Sequence, residues 1–506
     1  MSIPGKATAV ATQHYFQQHH SISTSTIPEL DWQISQTGFG SYRVAIGQKN
    51  HEQALRQALQ SGINLIDTSS NYGDGGSERL IGRVMAELID SDEISREQVV
   101  VVSKVGYLQG FNYALAQQCK QAGRPFPNLV KYAEGLDHCI HPDFLEDQLA
   151  RSLERLNLET LDVYLLHNPE YYLSWAQRRP IPLDEARRTY YQRIRLAFEF
   201  LEQAVVNGRI QSYGISSNSF PSPARSYTFT DLSHIWQIAQ EIGSDHHFRW
   251  VQLPMNLLET GAATEANQPD GQTVLQFAQA HHLAVLVNRP LNAIVQESLT
   301  RLADVLPPSY PATPEEVSTA VDSCVQLETQ FANQHLAGLH LDDETNQQLL
   351  DYLSVGRMLE GNWSGFGTFQ NWQDVRSQFI LPRSQTAVEF LSNRPNLPAE
   401  AALWLDEYVE AANIALAALS AFYQEQAAKR TKRIQETAVS ADPAWQAKTL
   451  SQTAVRALRS SKGISSVLVG MRQQRYVLDI LADLSQPVVV QDRSASWQTM
   501  KLNSKK

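Results

Sequence analysis

Eight short apolar runs, rich in β-branched residues, punctuate the chain, and each ends on or beside a polar residue. They are GFGSY (38–42), NLID (64–67), QVVVVSK (98–104), LDVYLLH (161–167), IQSYGISS (210–217), WVQLPMN (250–256), LAVLVNRPL (283–291) and SSVLVGM (465–471). The stretches between them have a different period. HEQALRQALQSG (51–62) and FLEDQLARSLERL (144–156) place apolar residues three and four apart, as one face of a helix does. Strands alternating with helices predict a parallel β/α architecture. Eight strands are the number that closes a (β/α)8 TIM barrel. A doubly wound sheet is the alternative, but its usual glycine-rich turn, G-x-G-x-x-G after the first strand, is not present.

A barrel of this kind takes roughly 250 residues, and the chain has 506. The surplus falls mainly between the seventh and eighth runs, where a βα connection normally needs few residues. The expected organisation is barrel strands one to seven with an N-terminal extension over 1–291 and a large, mainly helical insertion over 292–440. The last helix and eighth strand follow over 441–490, and a polar tail over 491–506. Within the insertion, Thr313-Pro314-Glu315-Glu316 reads as an N-cap, a first-turn proline and a capping-box glutamate, opening a helix toward His335. An alanine-rich helix is expected over 397–430, and an aromatic loop, GNWSGFGTFQNW, over 361–372. Two further long connections, 105–143 and 168–190, also follow strand C-termini, the face where barrel active sites lie. The insertion is expected to act as a lid or subdomain and is a possible surface for oligomer formation.

Composition narrows the function. Hydrophobic residues are 42% and charged residues 19%, an ordinary globular balance. A net charge of -11 argues against general nucleic-acid binding. The cluster Lys429, Arg430, Lys432, Arg433 reads as a solvated helix end. Three cysteines (Cys119, Cys139, Cys324) do not make a disulfide framework, which points to a reducing compartment. No apolar run reaches the roughly 18 residues that span a bilayer. The expectation is a cytoplasmic protein with neither membrane nor nucleic-acid partner.

In a barrel, the polar residues at the strand ends converge on one mouth. The second strand supplies Asp67, with Tyr72 in the loop after it. The third supplies Lys104 and the fourth His167. A carboxylate, a phenol, an ammonium and an imidazole together suit proton transfer to a developing alkoxide. Lys104 beside Tyr72 is expected to lower the phenol's pKa. Asp67 would keep Lys104 charged and aimed, and His167 could orient a carbonyl oxygen. A hydrolase using Asp67 and Glu259 as paired carboxylates is a weaker alternative, because Lys104 would neutralise one of the pair. His138, Cys139 and His141 lack a fourth metal ligand and are read as lining the substrate pocket, with no metal required. Tyr107, Phe111, Tyr113 and Tyr171 suggest aromatic pocket walls.

IDTSSNYGDGGSERLIG (66–82) resembles the signature of the aldo-keto reductase superfamily. VVSKVG (101–106), LDVYLLHNPE (161–170), GRIQSYGISSNSF (208–220), VQLPMN (251–256) and SSVLVGMRQQRYVLD (465–479) are similar to its later motifs, in the same order. The resemblance implies a (β/α)8 barrel that moves hydride between NADP(H), less readily NAD(H), and a carbonyl or alcohol substrate. It implies Tyr72 as general acid–base, Lys104 and Asp67 as its supporting pair, and His167 as the residue that positions the carbonyl. It also implies cofactor contacts from Ser41, Tyr42, Ser216, Ser217, Gln252, Asn288, Arg289, Pro290, Leu291, Gly470, Arg472 and Tyr476. An arginine at 472 favours a 2′-phosphate. The chain departs from the family pattern at LVNRPLN, where Asn288 and Arg289 replace an aromatic residue and a serine, leaving Arg289 for a cofactor phosphate or a substrate acid. Ser217 replaces a frequent Asn or Arg. Tyr476 and Ile480 stand where Gln and Asn are frequent. A cofactor-binding regulatory or scaffold protein with little turnover is the alternative reading.

Overall fold

The computed structural model describes residues 2–295 and 298–503. Eight parallel strands form a closed barrel: β1 (Thr37–Gly40), β2 (Leu65–Asp67), β3 (Val100–Val105), β4 (Leu161–His167), β5 (Ile210–Ser216), β6 (Phe248–Pro254), β7 (Ala284–Asn288) and β8 (Ser466–Gly470). Each pairs with its neighbours in sequence, and β8 closes on β1, with Val467 opposite Thr37 and Gly470 opposite Gly40. All eight coincide with the apolar runs of the sequence. Every residue of β3 and β4 is buried, which is why these strands read as continuous rather than alternating apolar segments.

The helices cover the barrel with one apolar face each. Lys49–Gln60 buries Ala54, Leu55, Ala58 and Leu59. Pro142–Leu156 starts with proline in its first turn, where no helix hydrogen bond is lost, and ends at Asn157 in the left-handed region. It packs closely on Gly76–Asp90 through Gly82, where a Cβ would lie 2.5 Å from Leu156 O. Glu78 ties the two helices and β3 together: Arg155 Nε donates to one carboxylate oxygen at 2.6 Å and Ser103 Oγ to the other at 2.5 Å.

An N-terminal hairpin, Thr24–Thr26 paired with Gln33–Ser35, was not foreseen from the sequence. Ile27, Trp32 and Ile34 pack against Leu65, Val100, Val163, Trp250 and Leu468 inside the barrel, and the Trp32 and Trp250 rings lie 6.2 Å apart. Leu65, Val100 and Val163 belong to the N-terminal parts of their strands, so the hairpin stops that end. The opposite, C-terminal mouth carries the polar strand ends.

The chain divides into two compact units: Met1–Leu302 with Glu436–Lys506, and Ala303–Gln435. Asn292–Val295 and Ser298–Arg301, which the sequence reading placed in the insertion, pair antiparallel and belong to the first unit. Ile294 N–H donates to Glu259 Oε2 at 3.0 Å and Leu302 N–H to Leu291 O at 2.9 Å, which bind the hairpin to the barrel loops. The second unit is helical. Its first long helix, Pro314–Gln330, has the Thr313–Glu316 capping box read from sequence and continues through a π turn at Phe331–His335. The alanine-rich helix runs over Ala399–Ala441, longer at its C-terminal end than the sequence reading. Phe331, Trp372, Trp404, Tyr408 and Leu419 share this unit's own core, which accounts for part of the aromatic loop as internal packing. No helix among the described residues is long and apolar enough to cross a membrane.

Candidate active site

The strand register brings Asp67, Lys104 and His167 to adjacent places. Asp67 lies opposite Val102 of β3, and Lys104 opposite Leu165 of β4, two residues before His167. Tyr72 reaches them through a turn. Its N–H donates to Ser69 O at 3.1 Å, and its own carbonyl accepts from Ser77 N–H at 3.2 Å, so the chain leaves β2, folds back and enters the next helix within a few residues. That reversal uses left-handed backbone at Gly73, Asp74 and Gly75.

Lys104 Nζ is the hub. It donates to Asp67 Oδ2 at 2.8 Å, to Thr68 O at 2.8 Å and to Tyr72 Oη at 3.3 Å. Lys104 is fully buried, and Asp67, Tyr72 and His167 are nearly so. Burial holds the Lys104 ammonium below its ordinary pKa, against the pull of Asp67 and Glu78 in the other direction. The Tyr72 phenol does not follow the sequence expectation. Burial, with the negative charge of Asp67, pushes it well above its ordinary value instead of Lys104 lowering it. Sequence spacing shows which charges are near but not how dry the place is, and here desolvation wins. His167 is held well below the ordinary imidazole value by burial, then by Lys104 and His138, which favours its neutral form. Because Lys104 donates to Tyr72 Oη, the phenol's own hydrogen is left for another acceptor.

The candidate cofactor residues separate into those the mouth gathers and those committed elsewhere. Ser216 Oγ donates to Gln252 Oε1 at 3.0 Å, and Gln252 Nε2 donates to Asp67 Oδ1 at 2.8 Å, so three strand ends are chained to the ammonium hub. Asn288 Nδ2 approaches Gln252 Oε1 at 3.4 Å, while Asn288 Oδ1 is buried with no hydrogen-bond partner among the described residues. Tyr42 is exposed and meets the Tyr72 ring edge-on at 5.2 Å. Ser41 is buried, with its hydroxyl on Asp67 O at 2.8 Å. The Ser217 hydroxyl is spent on Ser219 at 3.1 Å and Thr230 at 3.3 Å. Arg289 stands in the left-handed region and donates to Glu259 Oε1 at 2.7 Å, so both groups the sequence offered for other work are paired with each other. Pro290 is buried, Leu291 half-buried, and Gly470 exposed at the end of β8. Arg472 and Tyr476 are half-buried just beyond it, Tyr476 with Arg475 over its ring at 5.0 Å.

Ser69 and Asn168 were not singled out in the sequence, whereas His138, Tyr107 and Tyr171 were read there as pocket lining. Ser69 Oγ lies 3.1 Å from His167 Nδ1. His138 Nε2 lies 2.8 Å from His167 O, and Asn168 Nδ2 donates to Tyr107 Oη at 2.6 Å. The Tyr107 ring meets His167 edge-on at 4.8 Å and Tyr171 at 5.1 Å, and His138 stacks on Tyr171 at 5.5 Å, forming one aromatic wall. His138, Cys139 and His141 diverge: the Cys139 thiol faces Pro127 O at 3.4 Å and His141 caps the helix it precedes. Among the described residues no three His, Cys, Asp or Glu side chains are grouped to hold a metal ion. Phe111 is exposed, its N–H donating to Asp74.

A closed eight-stranded barrel with this strand-end cluster defines a class, and comparison with known proteins agrees. The profile of the Aldo/keto reductase family matches residues 37–306, and the chain belongs to that family. Methylglyoxal reductase YeaE of Escherichia coli (strain K12) is 25% identical over 195 residues, 38% of this chain and 44% of that protein. The NADH-specific methylglyoxal reductase of the same organism is 30% identical over 145 residues, 27% of this chain and 39% of that protein. The chain thus spans less than half the length of these relatives. Among solved structures, glycerol dehydrogenase AKR11B4 from Gluconobacter oxydans is similar over 95% of both chains at 16% identity with a TM-score of 0.45. An aldo/keto reductase from Klebsiella pneumoniae in complex with NADP and acetate is similar over 53% of this chain and 68% of that one, at 22% identity with a TM-score of 0.34.

Proposed function

We propose that the chain is an NADPH-dependent carbonyl reductase, able to run in reverse as an alcohol dehydrogenase, with Tyr72 as general acid–base. The observation that carries this reading is the buried chain of contacts from Asp67 through Lys104 to Tyr72. The residues at the mouth suit a nicotinamide. Asn288 Oδ1 is a buried acceptor with no donor among the described residues, beside the Ser216–Gln252 pair, and an amide-bearing ring could satisfy it. Arg472 beyond β8 suits a 2′-phosphate. When bound, the cofactor supplies the hydride.

The protein's part is proton transfer and orientation. Tyr72 gives its phenolic hydrogen to the substrate oxygen as charge builds there, a contribution of roughly 10²–10⁴ in rate. Lys104, already donating to Tyr72 Oη, stabilises the phenolate left behind, and Asp67 keeps Lys104 charged. Neutral His167 donates from Nε2 to the same substrate oxygen and fixes the carbonyl plane. The Tyr107–Tyr171–His138 wall bounds the pocket on one side and suits aldehydes, ketones or sugars with an apolar or stacking face. Fluorescence titration with NADPH and NADH, followed by a carbonyl and sugar-alcohol screen on the same sample, tests the reading. Tight NADPH binding with turnover is expected; binding without turnover on any substrate would favour a regulatory role, and no binding would end the proposal.

A further inference from the structure

Ser69 is buried, and its Oγ lies among three polar groups: Asn71 Oδ1 at 2.6 Å, His167 Nδ1 at 3.1 Å and Lys104 O at 3.2 Å. A serine hydroxyl has one hydrogen to give. The Lys104 carbonyl can only accept, and it already receives Ser70 N–H at 3.1 Å. The Asn71 amide can turn either end toward Ser69, because its oxygen and nitrogen exchange by a half-turn of the side chain.

Two self-consistent arrangements follow, besides one in which Ser69 donates to Lys104 O, Nδ1–H donates to Ser69 and Nε2 is likewise bare. With the Asn71 oxygen inward, Ser69 donates to Asn71, His167 Nδ1–H donates to Ser69, and Nε2 is left bare. With the Asn71 NH2 inward, Asn71 donates to Ser69, Ser69 donates to Nδ1, and the imidazole hydrogen sits on Nε2. The bond made by one ring nitrogen decides what the other can do. Only the second arrangement gives a carbonyl oxygen a donor; a bare Nε2 would repel it. We propose that Ser69 and Asn71 are positioning residues that hold His167 as its Nε2–H tautomer, by a relay from Asn71 Nδ2 through Ser69 Oγ to Nδ1. This rests on the carbonyl-reductase reading, which requires that donor.

Asn71→Asp is the discriminating variant. A carboxylate of the same shape can only accept, so it draws the Ser69 hydrogen away and forces the opposite tautomer. Nitrogen NMR on protein labelled at histidine, with the His167 signals assigned through His167→Gln, reads the tautomer directly. In the unaltered protein, Nε2 should be protonated and Nδ1 bare. N71D should reverse this, S69A should give a mixture, and Ser69→Thr should restore the original pattern. In parallel kcat should fall roughly 10- to 100-fold in N71D and S69A, with NADPH affinity unchanged. A protonated Nδ1 in the unaltered protein, or an unaltered His167 spectrum in N71D, overturns the proposal. Failure of the unaltered protein to turn over any carbonyl overturns the reductase reading instead, while the spectra still decide the tautomer.

Discussion

Gln252 of β6 donates its amide hydrogen to Asp67 of β2 at 2.8 Å, across the barrel mouth. That bond joins a residue suited to holding a nicotinamide to the carboxylate that holds Lys104. It leaves Asp67 Oδ2 for the ammonium, so one carboxylate serves both sides of the site. Gln252→Leu should therefore do two things at once. It should weaken NADPH binding and also lower kcat, because Asp67 loses a donor worth roughly 1.5–3 kcal/mol. Equilibrium titration and steady-state rates on one preparation check this; a change in affinity with kcat intact would mean that the Gln252–Asp67 bond does not matter to the chemistry.

Asp67→Asn removes the anion from a fully buried ammonium. Breaking a buried pair from one side typically costs about 3–5 kcal/mol. Urea unfolding should show a loss of this order. Asp67→Asn with Lys104→Met should recover part of the stability while leaving the protein inactive.

Two arginines divide the phosphate question. Arg289 is paired with Glu259, so Arg289→Met should change NADPH affinity less than threefold, within about 0.6 kcal/mol. Arg472→Ala should weaken NADPH by roughly 10- to 100-fold, as expected for a charge-assisted bond, and leave NADH nearly unchanged. Equal losses for both cofactors at Arg472 would remove it from the 2′-phosphate.

Glu170 is buried near the mouth, with Asn218 N–H on one carboxyl oxygen at 2.8 Å. Burial pushes it up to about 7. Its folded pKa thus exceeds its unfolded one, so folding favours the protonated acid. The stabilising contribution is full below the ordinary carboxylate range and is lost as pH rises through about 7. Glu170→Gln should flatten that decline, raising Tm at pH about 8 relative to the unaltered protein and changing it little at pH about 5. Thermal melts at the two values are sufficient.

The barrel was legible because its strands are buried on both faces, and buried strands leave dense β-branched runs such as VVVVS and VYLL. The cluster was legible because each of its members stands at or just beyond such a run. What the sequence hid has physical reasons. The plug hairpin uses strands of only three residues, TST and QIS, too short to show a period. The strands Asn292–Val295 and Ser298–Arg301 have only four residues each and are separated from the seventh strand by just Arg289, Pro290 and Leu291, so no period marks them. Ser69 is one of two adjacent serines, and nothing local marks the one that meets an imidazole nearly a hundred positions away. The direction of the Tyr72 shift depends on desolvation, which only packing reveals.

The most direct test of the account is Tyr72→Phe, measured by NADPH titration and by single-turnover reduction of the best carbonyl found in the screen. Cofactor affinity should be unaltered and turnover should fall roughly 10²- to 10⁴-fold across neutral pH. Turnover within a few-fold of the unaltered protein would contradict it.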